Sequence, residues 1–262
     1  MSVNILCVSL LGSSERRELI DKQISERAAI LARHHVTFRY FDATLGNMLD
    51  AESKFLINKV IYTSKSAFRR LGDGEIGCLL SHLRLWSFIC KNFNEDEIFI
   101  IIEDDVVFSN ENLDDILAYI NNVRPSFAFL APFPFSHNKK LIVARDYPAI
   151  DLYGPRYLYT RTCAYLCSIE RARELIDRAL LAPFVADNWE WLLTQDRCIL
   201  MDMFRHPEFN RSLIEMDRYC VKNQKASIRI RYSRRLKTYM MRALIFLVPH
   251  KFEYLDKVLR LK

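Results

Sequence analysis

A chain of 262 residues, half of them apolar, is long enough to bury the core of one large α/β domain or of one domain with an appendage, and too apolar to be disordered. No stretch reaches the roughly 20 apolar residues that cross a bilayer, and Val3 to Leu11 lacks the basic leader and cleavage site of a signal peptide, so a cytoplasmic protein is expected. The net charge of +6 conceals an asymmetry: residues 222–262 carry 12 Lys and Arg against Glu253 and Asp256, and the body before them is mildly acidic.

In chain order, Val3 to Leu10 predicts a buried strand, and Ser13 or Ser14 predicts the cap of a helix running through Leu19, Ile20, Ile24, Ala28 and Leu31. Val36 to Phe41 predicts a second strand ending at Asp42, and Asp50 to Ile61 a weak helix. Leu71-Gly72-Asp73-Gly74 reads as a turn whose glycines allow positive backbone dihedrals, followed from about Glu75 by a helix carrying Ile76, Leu79, Leu80, Leu83 and Trp86. Beyond a strand at Ile98-Phe99-Ile100-Ile101-Ile102, Asn112 to Val123 reads as a helix stopped before Pro125, and Phe127 to Leu130 as a short strand. Residues 131–156, with Pro132, Pro134, Pro148, Gly154 and Pro155, predict an irregular, mobile loop and a hairpin. Tyr157 to Thr160 and Cys163 to Cys167 read as strands and Glu170 to Leu181 as a helix; Pro183 ends it, and Phe184 to Trp189 lead into another short helix. Strands alternating with helices place the chain in the α/β class, with a mostly parallel sheet flanked by helices. The seven scattered cysteines form no CxxC pair and fit buried thiols in a reducing compartment; Cys163 and Cys167 lack neighbouring histidines, and no zinc site is expected there.

The run from Ile98 to Ile102 has no polar alternation, so it predicts a strand covered on both faces. Glu103, Asp104 and Asp105 then emerge where sheets of this kind bind ligands. Adjacent carboxylates repel one another, and a divalent cation relieves that repulsion. Hard oxygen donors suit Mn2+ or Mg2+ carrying a substrate phosphate, whereas the plain alternative is a solvated acidic turn.

Four stretches fall in an order that resembles glycosyltransferase family 25: Ser9-Leu10-Leu11 with Glu15-Arg16-Arg17, then Gly74-Glu75-Ile76-Gly77-Cys78-Leu79-Leu80-Ser81-His82, then Ile101-Ile102-Glu103-Asp104-Asp105-Val106, then Thr162 to Ser168 with the helix from Glu170, Pro183 and Asp187. The matches cover about residues 3 to 200, and this chain has Ser9-Leu10 where the family commonly has Asn-Leu. The resemblance implies a GT-A-like (Rossmann-like) fold over residues 1–221. It also implies transfer of a sugar, most often galactose, from a UDP-sugar donor to a hydroxyl of a lipooligosaccharide or lipopolysaccharide acceptor, with inversion at the anomeric carbon.

In that chemistry Asp105, with Asp104 or Glu103 assisting, is the expected metal site, and His206 of Phe204-Arg205-His206-Pro207 is a further candidate ligand. Asp187, then Glu190, are the expected catalytic bases, although Asp187 also suits a helix cap. Donor contacts are expected from Arg16, Glu75, Ser81, His82, Glu103 and Asp104. The structural alternatives are a surface ion pair for Arg16, a helix cap for Glu75 and a core histidine for His82. Trp189 and Trp191 read either as a stacking platform for an acceptor sugar or as core, and His34-His35 as a helix-terminal pair.

Residues 222–262 interleave basic with aromatic and apolar side chains, as in Ile228-Arg229-Ile230-Arg231-Tyr232 and Tyr239-Met240-Met241, which predicts a basic helical tail lying on an anionic membrane. The expected location is the inner face of the bacterial inner membrane, with a glycolipid acceptor as partner. No recognition fold for nucleic acid accompanies the tail, so none is expected to bind. The competing functions are a nucleotidyltransferase-like enzyme and a non-catalytic nucleotide-sugar-binding protein of the same fold.

Overall fold

A computed structural model describes residues 2–63, 71–109, 112–131, 142–146, 149–153, 163–181, 186, 189–193 and 197–205. Strand β1 (Val3–Ser9) leads to helices α1 (Ser14–Glu26) and α2 (Ala28–Arg33), then strand β2 (Val36–Asp42). A 3-10 turn at Gly46–Met48 and helix α3 (Ala51–Thr63) precede the long helix α4 (Asp73–Asn92) and strand β3 (Ile98–Glu103). Strand β4 (Val107–Phe108), helix α5 (Leu113–Val123) and strand β5 (Phe127–Phe129) follow, then the hairpin of β6 (Ile142–Asp146) and β7 (Ala149–Tyr153). Strand β8 (Ala164–Ser168), helices α6 (Ile169–Leu181) and α7 (Trp189–Leu192), and strands β9 (Arg197–Leu200) and β10 (Phe204–Arg205) complete the described elements.

The main sheet has the order β2-β1-β3-β8-β5-β9-β7-β6. Parallel pairing of β2, β1 and β3, with antiparallel pairing around β8 and β7, sets six of its eight strands in one direction. The expected α/β class and predominantly parallel sheet are therefore found. The strand predicted at Cys163 to Cys167 is the surprise in direction: it enters the sheet reversed, between β3 and β5.

Because side chains alternate across a strand, the apolar runs supply two cores. Leu6, Val8, Phe99, Ile101, Phe129, Tyr165 and Cys167 face α4 and α6, where Ile76, Leu83, Trp86 and Leu175 meet them. Val3, Ile5, Cys7, Ile98, Ile100 and Ile102 face the opposite layer, packing against Ile20 of α1, Leu31 of α2, and Ile116, Leu117 and Ile120 of α5. Full coverage of both faces explains why β3 carries no polar alternation before Glu103.

Two local expectations are corrected, and the open reading of Trp189 is decided. The first helix is two helices, broken at Arg27 (φ −112°, ψ 7°), and Ser13 precedes α1 without a side-chain capping bond. Gly72 sits at φ −74°, and no described glycine has positive φ, so the turn before α4 does not use that freedom. Trp189 is fully buried against Phe127, Phe129 and Tyr165; it belongs to the core and is not a platform for a sugar. His34, at the end of α2, bonds to Asp114 in the first turn of α5 through Nε2 at 2.9 Å.

Asp187, His206, the segment Tyr157 to Thr160 and the tail 222–262 lie outside the described residues, as do the side chains of Glu190 and Trp191. Among the described residues, no helix is long and apolar enough to cross a membrane.

Candidate functional site

Register brings the carboxyl ends of three parallel strands together. Ser9 of β1 lies beside Asp42 of β2, and Val8 beside Glu103 of β3, so the chain leaves all three strands at the same edge of the sheet. The amino-terminal half of α4 crosses that edge. Between them lies a cleft of about 180 Å³, lined by Ser9, Arg16, the segment from Ala43 to Gly46, Gly74, Gly77, Cys78, Ser81, His82, Glu103, Asp104 and Asp105.

Two glycines allow the helix to approach. A Cβ on Gly77 would stand 2.6 Å from the Thr44 carbonyl oxygen, and one on Gly46 would stand 1.8 Å from the Asp73 carbonyl oxygen, distances that no side chain survives. Gly77 therefore serves close backbone packing. Ser81 locks the same contact: its hydroxyl donates to the Gly77 carbonyl at 2.7 Å and accepts the Thr44 N–H at 2.8 Å. Glu75 accepts the Gly72 N–H at 3.1 Å and is not among the residues lining the cleft, which favours its reading as a cap of α4.

The three acids divide by environment. Asp104 has both oxygens engaged: Oδ2 accepts the Ser9 hydroxyl at 2.8 Å and Oδ1 accepts Arg16 Nη1 at 2.8 Å. It clasps β1 and the start of α1 to the end of β3. Asp105 is 8% exposed, and Glu103 presents a partly exposed side chain to the cleft. Burial alone would lower the Arg16 pKa, but the hydrogen bond to Asp104 and the fields of Asp104, Asp105 and Glu103 outweigh it and raise the pKa. Arg16 thus lies on the cleft wall as a permanently charged group, with Nη1 engaged by Asp104.

Behind the acids sits a buried polar chain. Trp86 Nε1 donates to the Tyr165 hydroxyl at 2.8 Å, and that hydroxyl meets His82 Nδ1 at 2.8 Å. His82 is completely buried, and its other nitrogen, Nε2, stands 3.7 Å from Glu103 Oε1, too far for a hydrogen bond. Burial drives the Tyr165 pKa well above the phenol range, so the hydroxyl stays protonated.

Residues 2–189 match the model of glycosyltransferase family 25, described as LPS biosynthesis protein. The chain belongs to this family. It is 35% identical over 118 residues to the lipooligosaccharide biosynthesis protein lic2B of Haemophilus influenzae, an alignment covering 45% of this chain and 38% of that protein. A putative glycosyltransferase of Haemophilus influenzae is 31% identical over 111 residues, covering 42% of this chain and 34% of the other. A glycosyltransferase 25 family member of Drosophila melanogaster is 23% identical over 207 residues, covering 78% of this chain and 31% of its own length. The chain thus spans between about a third and two fifths of these relatives. A solved glycosyltransferase involved in the glycosylation of the major capsid of PBCV-1 superposes with a TM-score of 0.42 at 12% identity, covering 84% of this chain and 100% of the other.

In this family 25 chain the structure brings Arg16, Ser81, His82, Glu103, Asp104 and Asp105 to one cleft, out of three separate sequence stretches. Ser9, Cys78 and Tyr165 were not singled out as site residues. The spacing of Cys78 and His82, one helical turn apart, was the available signal for Cys78. Nothing local marks Tyr165, which meets His82 from 83 residues away.

Proposed function

We propose that this chain moves a hexose, galactose in the first instance, from a UDP-sugar to a hydroxyl of a lipooligosaccharide or lipopolysaccharide acceptor, with inversion. The observation that carries the reading is the acid-walled cleft at the carboxyl ends of β1, β2 and β3, in a chain of glycosyltransferase family 25. The donor set suits a hard divalent ion: with Asp104 held by Arg16 and Ser9, Asp105 and Glu103 are the carboxylates of the cleft best placed to hold Mn2+ or Mg2+. Such an ion would supply positive charge to the departing diphosphate.

The remaining roles fall to the chain itself. Arg16, fixed on the cleft wall by Asp104, presents its other N–H groups to phosphate oxygens. The acceptor oxygen bonds to the anomeric carbon as the bond from that carbon to the diphosphate oxygen breaks, and the electron pair leaves with UDP. The acceptor's proton passes to a carboxylate on the opposite face of the sugar, for which Asp187 and then Glu190 are the candidates. His206 remains the proposed additional metal ligand. The basic segment 222–262 holds the protein to the anionic inner face of the bacterial inner membrane, where a lipid-linked acceptor is presented.

The test is transfer itself. Purified protein incubated with a panel of UDP-sugars, Mn2+ and a truncated lipooligosaccharide should yield an acceptor heavier by one hexose in mass spectrometry, and release some free UDP without acceptor. Full transfer after exhaustive chelation would refute the metal assignment. Binding of a UDP-sugar without any UDP release would favour the non-catalytic reading. Truncation at about Ser227 should release the protein from anionic liposomes, and continued binding would show that another surface is the anchor.

A further inference from the structure

We propose that Cys78, His82 and Glu103 form a binding site for a thiophilic divalent cation of the zinc type, which shares Glu103 with the hard-ion site but draws its other ligands from α4 rather than from Asp105. One ligand atom from each lies within 4.8 Å of the other two, and His82 Nε2 is already 3.7 Å from Glu103 Oε1. Zinc bonds of about 2.0–2.3 Å to N, O and S require ligand separations of about 3.4–3.6 Å in a tetrahedron, so a modest swing of the partly exposed Glu103 side chain closes the set. Cys78 and His82 stand at i and i+4 on α4, the spacing that places two ligands on one helix face.

The independent pointer is His82 Nε2. It is buried, has no hydrogen-bond partner, and faces Glu103, whereas buried polar atoms in folded proteins are almost always paired. Its other nitrogen is held by the Tyr165 hydroxyl, itself anchored by Trp86. A hydroxyl both donates and accepts, so Tyr165 keeps this bond when the ring proton moves to Nδ1 and frees Nε2 for a metal. The donor set decides the ion: sulfur and imidazole with one carboxylate select zinc over magnesium or manganese.

The proposal does not depend on sugar transfer, and its test is optical. The metal-stripped full-length protein is titrated with Co2+. Expected are one bound equivalent, the strong visible bands of tetrahedral cobalt, a near-ultraviolet thiolate-to-cobalt band, and displacement by Zn2+. Cys78→Ser should abolish the thiolate band while leaving the melting temperature near that of the parent. Tyr165→Phe should weaken Co2+ binding by about 10- to 100-fold, the usual cost of losing an outer partner of a ligating histidine. Glu103→Gln, a surface-reaching change that keeps the side-chain shape, should weaken it at least about tenfold by the same scale. Absence of a thiolate band in folded protein at saturating Co2+, its persistence in Cys78→Ser, or unchanged affinity in Glu103→Gln would each overturn the assignment.

Discussion

The β1–β3 pair is fastened at both ends by the same device, a serine from the β1 side donating to an acid from the β3 side. At the amino end the Ser2 hydroxyl donates to Glu97 Oε2 at 2.7 Å, Asn4 Nδ2 donates to the same oxygen at 2.9 Å, and the Asn94 N–H reaches Oε1 at 3.0 Å. At the carboxyl end Ser9 donates to Asp104 at 2.8 Å and Arg16 completes the clasp. The first end stops there. The second continues into Glu103 and Asp105, which wall a cleft beneath α4. An acid at the end of a strand is therefore not in itself a site; what separates the two ends is a cavity and the neighbours that line it.

The largest expected effect breaks the comparison at Asp105. Asp105→Asn preserves shape but removes the charge proposed to hold the metal, and should cost about 100-fold or more in transfer, the scale of removing one group that stabilises a developing charge. The melting temperature should stay near that of the parent. A variant that transfers normally would return Asp105 to the same class as Glu97.

Asp104→Asn should act the other way round. Losing the charge that Arg16 and Ser9 share should cost about 1–3 kcal/mol of stability, toward the lower end because Arg16 is 35% exposed. Denaturant unfolding measures the loss, and any fall in transfer should be milder than in Asp105→Asn. If Asp104→Asn abolishes transfer at unchanged stability, Asp104 is part of the reacting site and the proposed division of labour among the three acids fails.

How far these roles were legible depended on range. The apolar run of β3 and the acids after it were readable because coverage of both faces leaves a direct compositional mark. The clasp of Asp104 was not, because it arises from the β1–β3 register, and nothing in either strand announces which residues will stand opposite. Gly77 was noticed in its motif, but its reason is the Thr44 carbonyl, which comes from a loop more than 30 residues earlier. Glu75 had two readings, cap or sugar contact, and three-dimensional placement favours the cap. The reversed direction of β8 leaves no trace in an apolar strand, yet that reversal pairs Tyr165 with Ile101 of β3 and sets its hydroxyl against His82.

The smallest effect sharpens the comparison from the amino end. Burial by itself would raise the Glu97 pKa, but the hydrogen bonds from Asn94, Ser2 and Asn4 and the field of Arg39 prevail and lower it. A carboxyl whose folded pKa is depressed contributes stability that is fully present above its unfolded pKa, about 4.3 for Glu, and disappears as pH falls through the lower folded value. Below that unfolded value the unfolded chain takes up the proton first, and stability drops. Glu97→Gln cannot titrate, so its melting temperature should lie below that of the parent at neutral pH, by an amount reflecting about 1 kcal/mol. The two curves should converge as the pH falls below the ordinary glutamate range. Both curves should still fall with pH, because Asp50, Glu95 and Asp114 also have lowered pKa values and titrate in both proteins. Transfer at neutral pH should be unchanged, since Glu97 lies at the opposite end of β3 from the cleft. A parallel displacement at every pH would mean that Glu97 acts through packing rather than through its charge, and the symmetry between the two fastened ends would be one of shape alone.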